Sequence, residues 1–259
     1  MTIFRNVVFV AALAGLVAGL AMSAMQFFAT TPLIVAAEEF EGMEVAPAPA
    51  AAPSVQDHDH GHAHASDDAH AHEDDHGHSH SGWVPEDGFE RESLTVLANV
   101  VTAVGFGLML VVAAELAGGI QSWRQGIYWG FAGFAVFTLA PGLGLPPELP
   151  GMPAADLLPR QIWWVATVAA TAGGLALIAF GRNAVLAILG VALIVAPHVV
   201  GAPQPVSHES SVPVELHSQF VTAATLTSLV FWVVLGAMVG VLRGRFADPV
   251  AGAEQGSLA

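Results

Sequence analysis

Six runs of apolar residues, at about 6–28, 94–117, 127–145, 162–180, 183–200 and 218–242, alternate with short polar or Gly/Pro-rich stretches. A bilayer core of about 30 Å is crossed by roughly 20 residues of helix, so runs of this length predict transmembrane helices. Four are unambiguous in length and composition. The run at 127–145 ends in a Pro/Gly stretch, and that at 183–200 is short, closing at Ala196-Pro197-His198. The pattern therefore predicts an all-α, polytopic integral membrane helix bundle of about six spans, or five if one weak run does not cross. Only Gly181-Arg182-Asn183 separates the fourth and fifth runs. Gly and Asn tolerate a left-handed turn and Arg reaches the headgroups, so these two helices should be antiparallel neighbours.

Composition agrees: 54% of residues are hydrophobic and only 11% charged, with a mean hydropathy of +0.61, far from a soluble average. All seven basic residues are Arg, at 5, 91, 124, 160, 182, 243 and 245. With six spans, Arg5, Arg124, Arg182, Arg243 and Arg245 share one side and only Arg91 and Arg160 face the other. The positive-inside rule then puts both termini in the cytoplasm of a multi-pass inner-membrane protein. The first apolar stretch exceeds the usual signal-peptide core, so it reads as a retained span. Gly15 and Gly19, Gly126 and Gly130, and Gly236, Gly240 and Gly244 recur at four-residue spacing, which lets helix backbones approach closely in lipid.

The formal charge of −15 belongs to the links between spans, chiefly 38–44 and 57–92, and points to no nucleic-acid partner. The chain divides into a first helix at 1–28, an external loop at 29–93, a five-helix region at 94–245 and a cytoplasmic tail at 246–259. Within the loop, residues 57–80 read DHDHGHAHASDDAHAHEDDHGHSH and hold nine of the twelve histidines: His58, His60, His62, His64, His70, His72, His76, His78 and His80. With so few apolar residues, this stretch is expected to be disordered. Spacing by two puts both rings of a pair on one side of an extended chain, so two imidazoles close on one ion while a nearby carboxylate offers oxygen. Co2+, Ni2+ and Zn2+ all suit such a donor set, which makes the tract a collector that selects poorly among them. A segment of this kind lacks the rigidity that catalysis needs.

Within the spans, ionisable residues are scarce, and each is costly. Glu115 lies where it can reach the interface. His198 closes the fifth span and His217 opens the sixth, and with His208, Glu209 and Glu215 they form a candidate second metal stop at the external face. Met22, Met25 and Gln26 on the first span, Ser218, Thr222 and Thr225 on the sixth, and Asn99 and Thr102 on the second read as helix packing before ion contact. There is no Cys and no Lys, no phosphate loop, no dinucleotide fingerprint and no His-Glu-x-x-His helix. Thiolate metal sites, Schiff-base chemistry and the common hydrolytic metal motif are thereby excluded, and no enzyme and no resident cofactor are expected.

Several stretches together resemble the CbtA family of predicted cobalt-transporter subunits: MTIFRNVVFVAALAGLVAGL, AAEEFE, WVPEDGFERESLTVLANV, LGLPPELPGMPAADLLPRQIWWVATVAAT, APHVVGAPQP and VPVELHSQFVTAATLTSLVFW. The combination of Pro147-Glu148-Leu149-Pro150-Gly151 with Arg160-Gln161-Ile162-Trp163-Trp164 and Pro197-His198 carries most of the likeness. The resemblance implies a cobalt-uptake protein serving cobalamin synthesis, paired with CbtB, a small single-span His-containing subunit, and about five spans where hydropathy gives six. It adds Glu148 and Glu38 or Glu39 to His198 and His217 as candidate metal contacts. In physical terms Glu148 and Asp156 sit where they attract cations, and Trp163 and Trp164 where they anchor a helix at the interface. The alternative function is a metal-binding membrane protein that buffers or senses without transporting.

Overall fold

The computed structural model describes residues 2–41 and 88–246. Its elements are helical throughout: α1 Thr2–Ala29, α2 Thr31–Glu38, α3 Phe89–Leu116, α4 Trp123–Phe134, a π-helical turn Ala135–Leu139, α5 Ala140–Gly144, α6 Leu157–Phe180, α7 Ala184–Val200 and α8 Val214–Phe246. Five stretches are long and apolar enough to cross a membrane: Phe4–Ala29, Phe89–Leu116, Trp123–Gly144, Leu157–Phe180 and Val214–Arg245. The sixth, α7, has 17 residues, about 25 Å of helix. It packs antiparallel to α6, from the turn after Phe180 to Pro197 beside Trp163, so five span-length helices and one shorter helix stand where hydropathy gave six runs.

Most helices begin before the apolar runs do. Helix α3 starts at Phe89, not 94, and α6 at Leu157, not 162. Hydropathy marks only the hydrocarbon-buried length, whereas a helix continues into the headgroup layer; Glu90 and Glu92 in the first turn of α3 also suit its positive end. Part of the segment expected as external loop is ordered too, since Pro32 opens the short helix α2, where its missing N–H leaves nothing unpaired. The third run is one continuous helix with a π turn. Pro141 cannot donate to the carbonyl one turn back and its ring crowds that oxygen, and the wider turn just before it relieves the clash.

Close glycine contacts hold the passes together. A Cβ on Gly15 or Gly19 would lie 2.6 Å from the Cα of Val104 or Val100 on α3. On Gly126 or Gly130 it would overlap the carbonyl oxygen of Gly236 or Trp232 on α8, and on Gly240 it would come within 2.6 Å of the Ser122 oxygen. Gly174 and Gly190 make the same contact between α6 and α7, at 2.5 and 2.6 Å from each other's carbonyl oxygens. Glycine spacing does not mark that last pair, because neither member has a glycine four residues away on its own helix. Around these contacts lies one core of Val10, Ala14, Leu110, Val111, Phe231, Trp232, Leu235 and Val239.

A correction concerns the α6–α7 turn. The hairpin forms, but without a left-handed residue: Gly181 and Asn183 are both extended. Asn183 instead caps α7, accepting a hydrogen bond from the Leu186 amide at 2.9 Å, the role for which Asn is favoured. Gly181 is required because a Cβ there would overlap the Leu177 oxygen.

The two ends of the bundle differ. The end bearing Thr2 and Phe246 is joined by an ion pair between Glu115 and Arg243. The opposite end carries a folded cap, in which Ala37, Leu149, Val212 and Phe220 make a second core from α2, the 145–156 link, the 201–213 link and the start of α8. Ser211 Oγ donates to the Phe40 oxygen at 3.0 Å across this cap, and Arg91 pairs with Glu38 at 2.9 Å.

Candidate functional site

Most of the described site candidates lie at the cap end, because the antiparallel passes return the start of α6, the end of α7 and the start of α8 to one face. The 145–156 link runs across that face. There His217, on the first turn of α8, places Nε2 3.2 Å from the Pro147 oxygen. A carbonyl only accepts, so Nε2–H is the donor in this bond, and Nδ1 has no hydrogen bond among the described residues. This is how metal-ligating histidines are commonly held, one nitrogen donating to an oxygen and the other turned to the ion.

Glu148 is the next residue of the same link. Its Oε2 accepts from Arg160 Nη2 at 2.9 Å, with the two side chains 26% and 28% exposed, so the carboxylate is half-buried and charge-compensated. His198 lies edge-on to Trp163, ring centroids 5.9 Å apart at 72°, and Trp163 Nε1 donates to the Pro197 oxygen at 3.2 Å. Trp163 is therefore turned into the bundle, at 7% exposure, and pins α6 to α7. Of the Trp pair expected at the interface, only Trp164 is half-exposed, packed against Phe137.

The face thus brings His217 of α8 and Arg160 of α6 against the link that bears Glu148, and His198 of α7 against Trp163 of α6. It does not complete a coordination sphere: among the described residues no three His, Asp or Glu side chains gather closely enough to hold an ion. Glu38 is paired with Arg91. The histidines from His58 to His80 lie outside the described residues, but the flanks of that segment, Glu41 and Gly88, both stand at the cap end.

The hydroxyls of the stripe on α8 bond within their own helix, as a packing role requires. Ser218, Thr222 and Thr225 each donate to a carbonyl of their own helix, at 2.9, 2.9 and 2.7 Å. A depression of about 550 Å3 between α8 and the end of α1 is lined by Ser218, Gln219, Thr222 and Thr227 among apolar residues. Asn99 and Gln26 meet across α1 and α3, Asn99 Nδ2 donating to Gln26 Oε1 at 2.6 Å and to Ser23 Oγ at 3.0 Å. Nothing in the sequence links the two residues, which lie 73 positions apart on separate spans.

Charge is distributed unequally. Among the described residues the cap end carries Glu38, Glu148 and the acids opening α3 and α8 against Arg91 and Arg160, whereas the opposite end carries Glu115 against the remaining five arginines. A surface of this sign concentrates cations from solution.

A family model described as "Probable cobalt transporter subunit (CbtA)" matches residues 4–244. No curated protein and no solved structure matches the chain.

Proposed function

The chain belongs to the CbtA family of probable cobalt transporter subunits, and from that premise we propose that it is the membrane permease subunit for uptake of cobalt. The family match over residues 4–244, on a helical bundle with five span-length helices, carries this reading. The cap end faces outward in the proposed orientation, because five of the seven arginines then lie in the cytoplasm. The His/Asp tract at 57–80 collects divalent ions there and delivers them to the cap, where His217 offers its free Nδ1, with His198 and Glu148 beyond it. Glu148 contributes once Arg160 moves aside, since a paired carboxylate binds an ion only by exchanging its partner.

Cobalt is the substrate indicated by the family, with Ni2+ and Zn2+ chemically acceptable to the same donors. Supply of cobalamin synthesis is the proposed use of the metal. A subunit implies a second polypeptide, for which CbtB, a small single-span His-containing subunit, is the proposed identity. Nothing in the chain couples nucleotide hydrolysis, so an ion gradient or the partner supplies the energy.

A second reading is favoured by one observation, the lack of a preassembled ligand set in the described residues: the protein buffers metal without passing it. The two separate cleanly in sealed vesicles containing the purified chain, with and without the small subunit, loaded inside with a cobalt-quenched dye. Permease activity predicts quenching within minutes in at least one preparation. Binding of cobalt to the outer face with no quenching in either preparation would leave the buffer.

A further inference from the structure

The hairpin of α6 and α7 touches the rest of the bundle chiefly near the cap, through Trp163 against Gly144 and Trp164 against Phe137. Toward the other end α6 stands away from α3 and α4. The resulting cleft, about 720 Å3, is lined by Met109 and Ala113 of α3, Tyr128 of α4, and Ala172, Ala176 and Phe180 of α6, among others. That volume is within the roughly 300–1,000 Å3 of ligand-binding clefts. In a bilayer such a space does not stay empty, and its almost wholly apolar walls admit only an apolar occupant.

The mouth supplies the second observation. Gln125 and Phe180 line the cleft on its two sides; Arg124 immediately precedes Gln125, and Arg182 lies two residues beyond Phe180. Both arginines are exposed. Neither forms an ion pair among the described residues, in contrast to Arg91, Arg160 and Arg243. Arg124 lies over the Trp123 ring at 5.5 Å, and Tyr128 is 71% exposed nearby, an aromatic belt at headgroup level. A basic mouth over an intramembrane apolar cleft on the predicted cytoplasmic side is the arrangement that holds anionic lipid headgroups.

We propose that this cleft is a specific site for one anionic phospholipid, an acyl chain lying between α3, α4 and α6 and the phosphate held by Arg124 and Arg182. A partner helix seated in the same space is the competing occupant. It is disfavoured because the cleft narrows toward the cap, where α6 closes on the π turn, so that it is a wedge and not a channel of constant width.

The full chain is purified in mild detergent, stripped of lipid, and given dioleoylphosphatidylglycerol or dioleoylphosphatidylcholine, with bound lipid counted by native mass spectrometry. The expected result is one retained phosphatidylglycerol per chain and little phosphatidylcholine. Arg124→Gln and Arg182→Gln should each weaken retention about 5-fold and together abolish the headgroup preference. The chain has no cysteine, so Ala176→Cys gives a unique thiol that can be alkylated with a bulky maleimide after folding. Alkylation should expel the lipid while both arginines remain. Equal retention of the two lipids, or unchanged retention after alkylation, would overturn the proposal. So would displacement of the lipid by a co-expressed subunit that cross-links to the same thiol.

Discussion

His217 shows how much chemistry one hydrogen bond assigns. Because Pro147 has only an oxygen to offer, the ring must donate through Nε2, which leaves Nδ1 as the nitrogen to meet an ion. Gln at this position can still donate to the carbonyl but has no imidazole to coordinate with. His217→Gln is therefore expected to leave the melting temperature in detergent nearly unchanged while weakening cobalt binding at the cap by about tenfold or more, read by calorimetry. Equal cobalt affinity in the two proteins would remove His217 from the route. The neighbouring Arg160–Glu148 pair is a different matter, because partly exposed pairs contribute only about 0–1 kcal/mol to stability, so its geometry suits a contact that can be exchanged for an ion. The pairing was not legible in the sequence: Glu148 and Arg160 were visible as charged residues near one interface, but which acid an arginine meets depends on how the link folds back.

Among the elements, the glycines separate into those the packing requires and those it does not. Gly236 has no room for a Cβ, which would overlap the Gly126 oxygen, whereas Gly105 on α3 has nothing within 4 Å. Gly236→Ala must spread α4 from α8 and is expected to cost about 1–3 kcal/mol. Gly105→Ala should be neutral or slightly stabilising, since Ala is the better helix former by up to about 1 kcal/mol. Denaturation in mixed micelles distinguishes them, and similar midpoints for the two variants would contradict the packing described. Four-residue spacing marks the close contacts of α1, α4 and α8 except at Gly244, where a Cβ would lie 3.8 Å from the Gln121 oxygen, an ordinary contact. It missed Gly174 with Gly190, whose partner lies across a turn, and it missed the π turn, since Pro141 declares a disturbance without declaring which geometry absorbs it.

For the whole molecule, the proposed division of labour is between a tract that gathers metal and a cap that receives it. Deletion of 57–80 should lower cobalt uptake strongly when the metal is scarce and little when it is abundant; equal loss at both concentrations would place an indispensable site in the tract itself. The sequence alone determined the solvent, the approximate spans and the distribution of arginines, because burial in hydrocarbon is a property of composition summed over some twenty residues and needs no partner. The donor chemistry of the 57–80 tract, on which the proposed metal capture rests, is legible for the same reason, imidazole and carboxylate being potential donors wherever they stand. Tertiary structure decided the rest: that α2 and two links fold into a cap, that Trp163 turns inward to hold α7, that Glu148 meets Arg160, and that α6 leaves a cleft beside α3 and α4. Each of these depends on which distant residues the passes bring to one level. That is fixed by close packing and by specific hydrogen bonds between helices, terms that hydropathy does not contain.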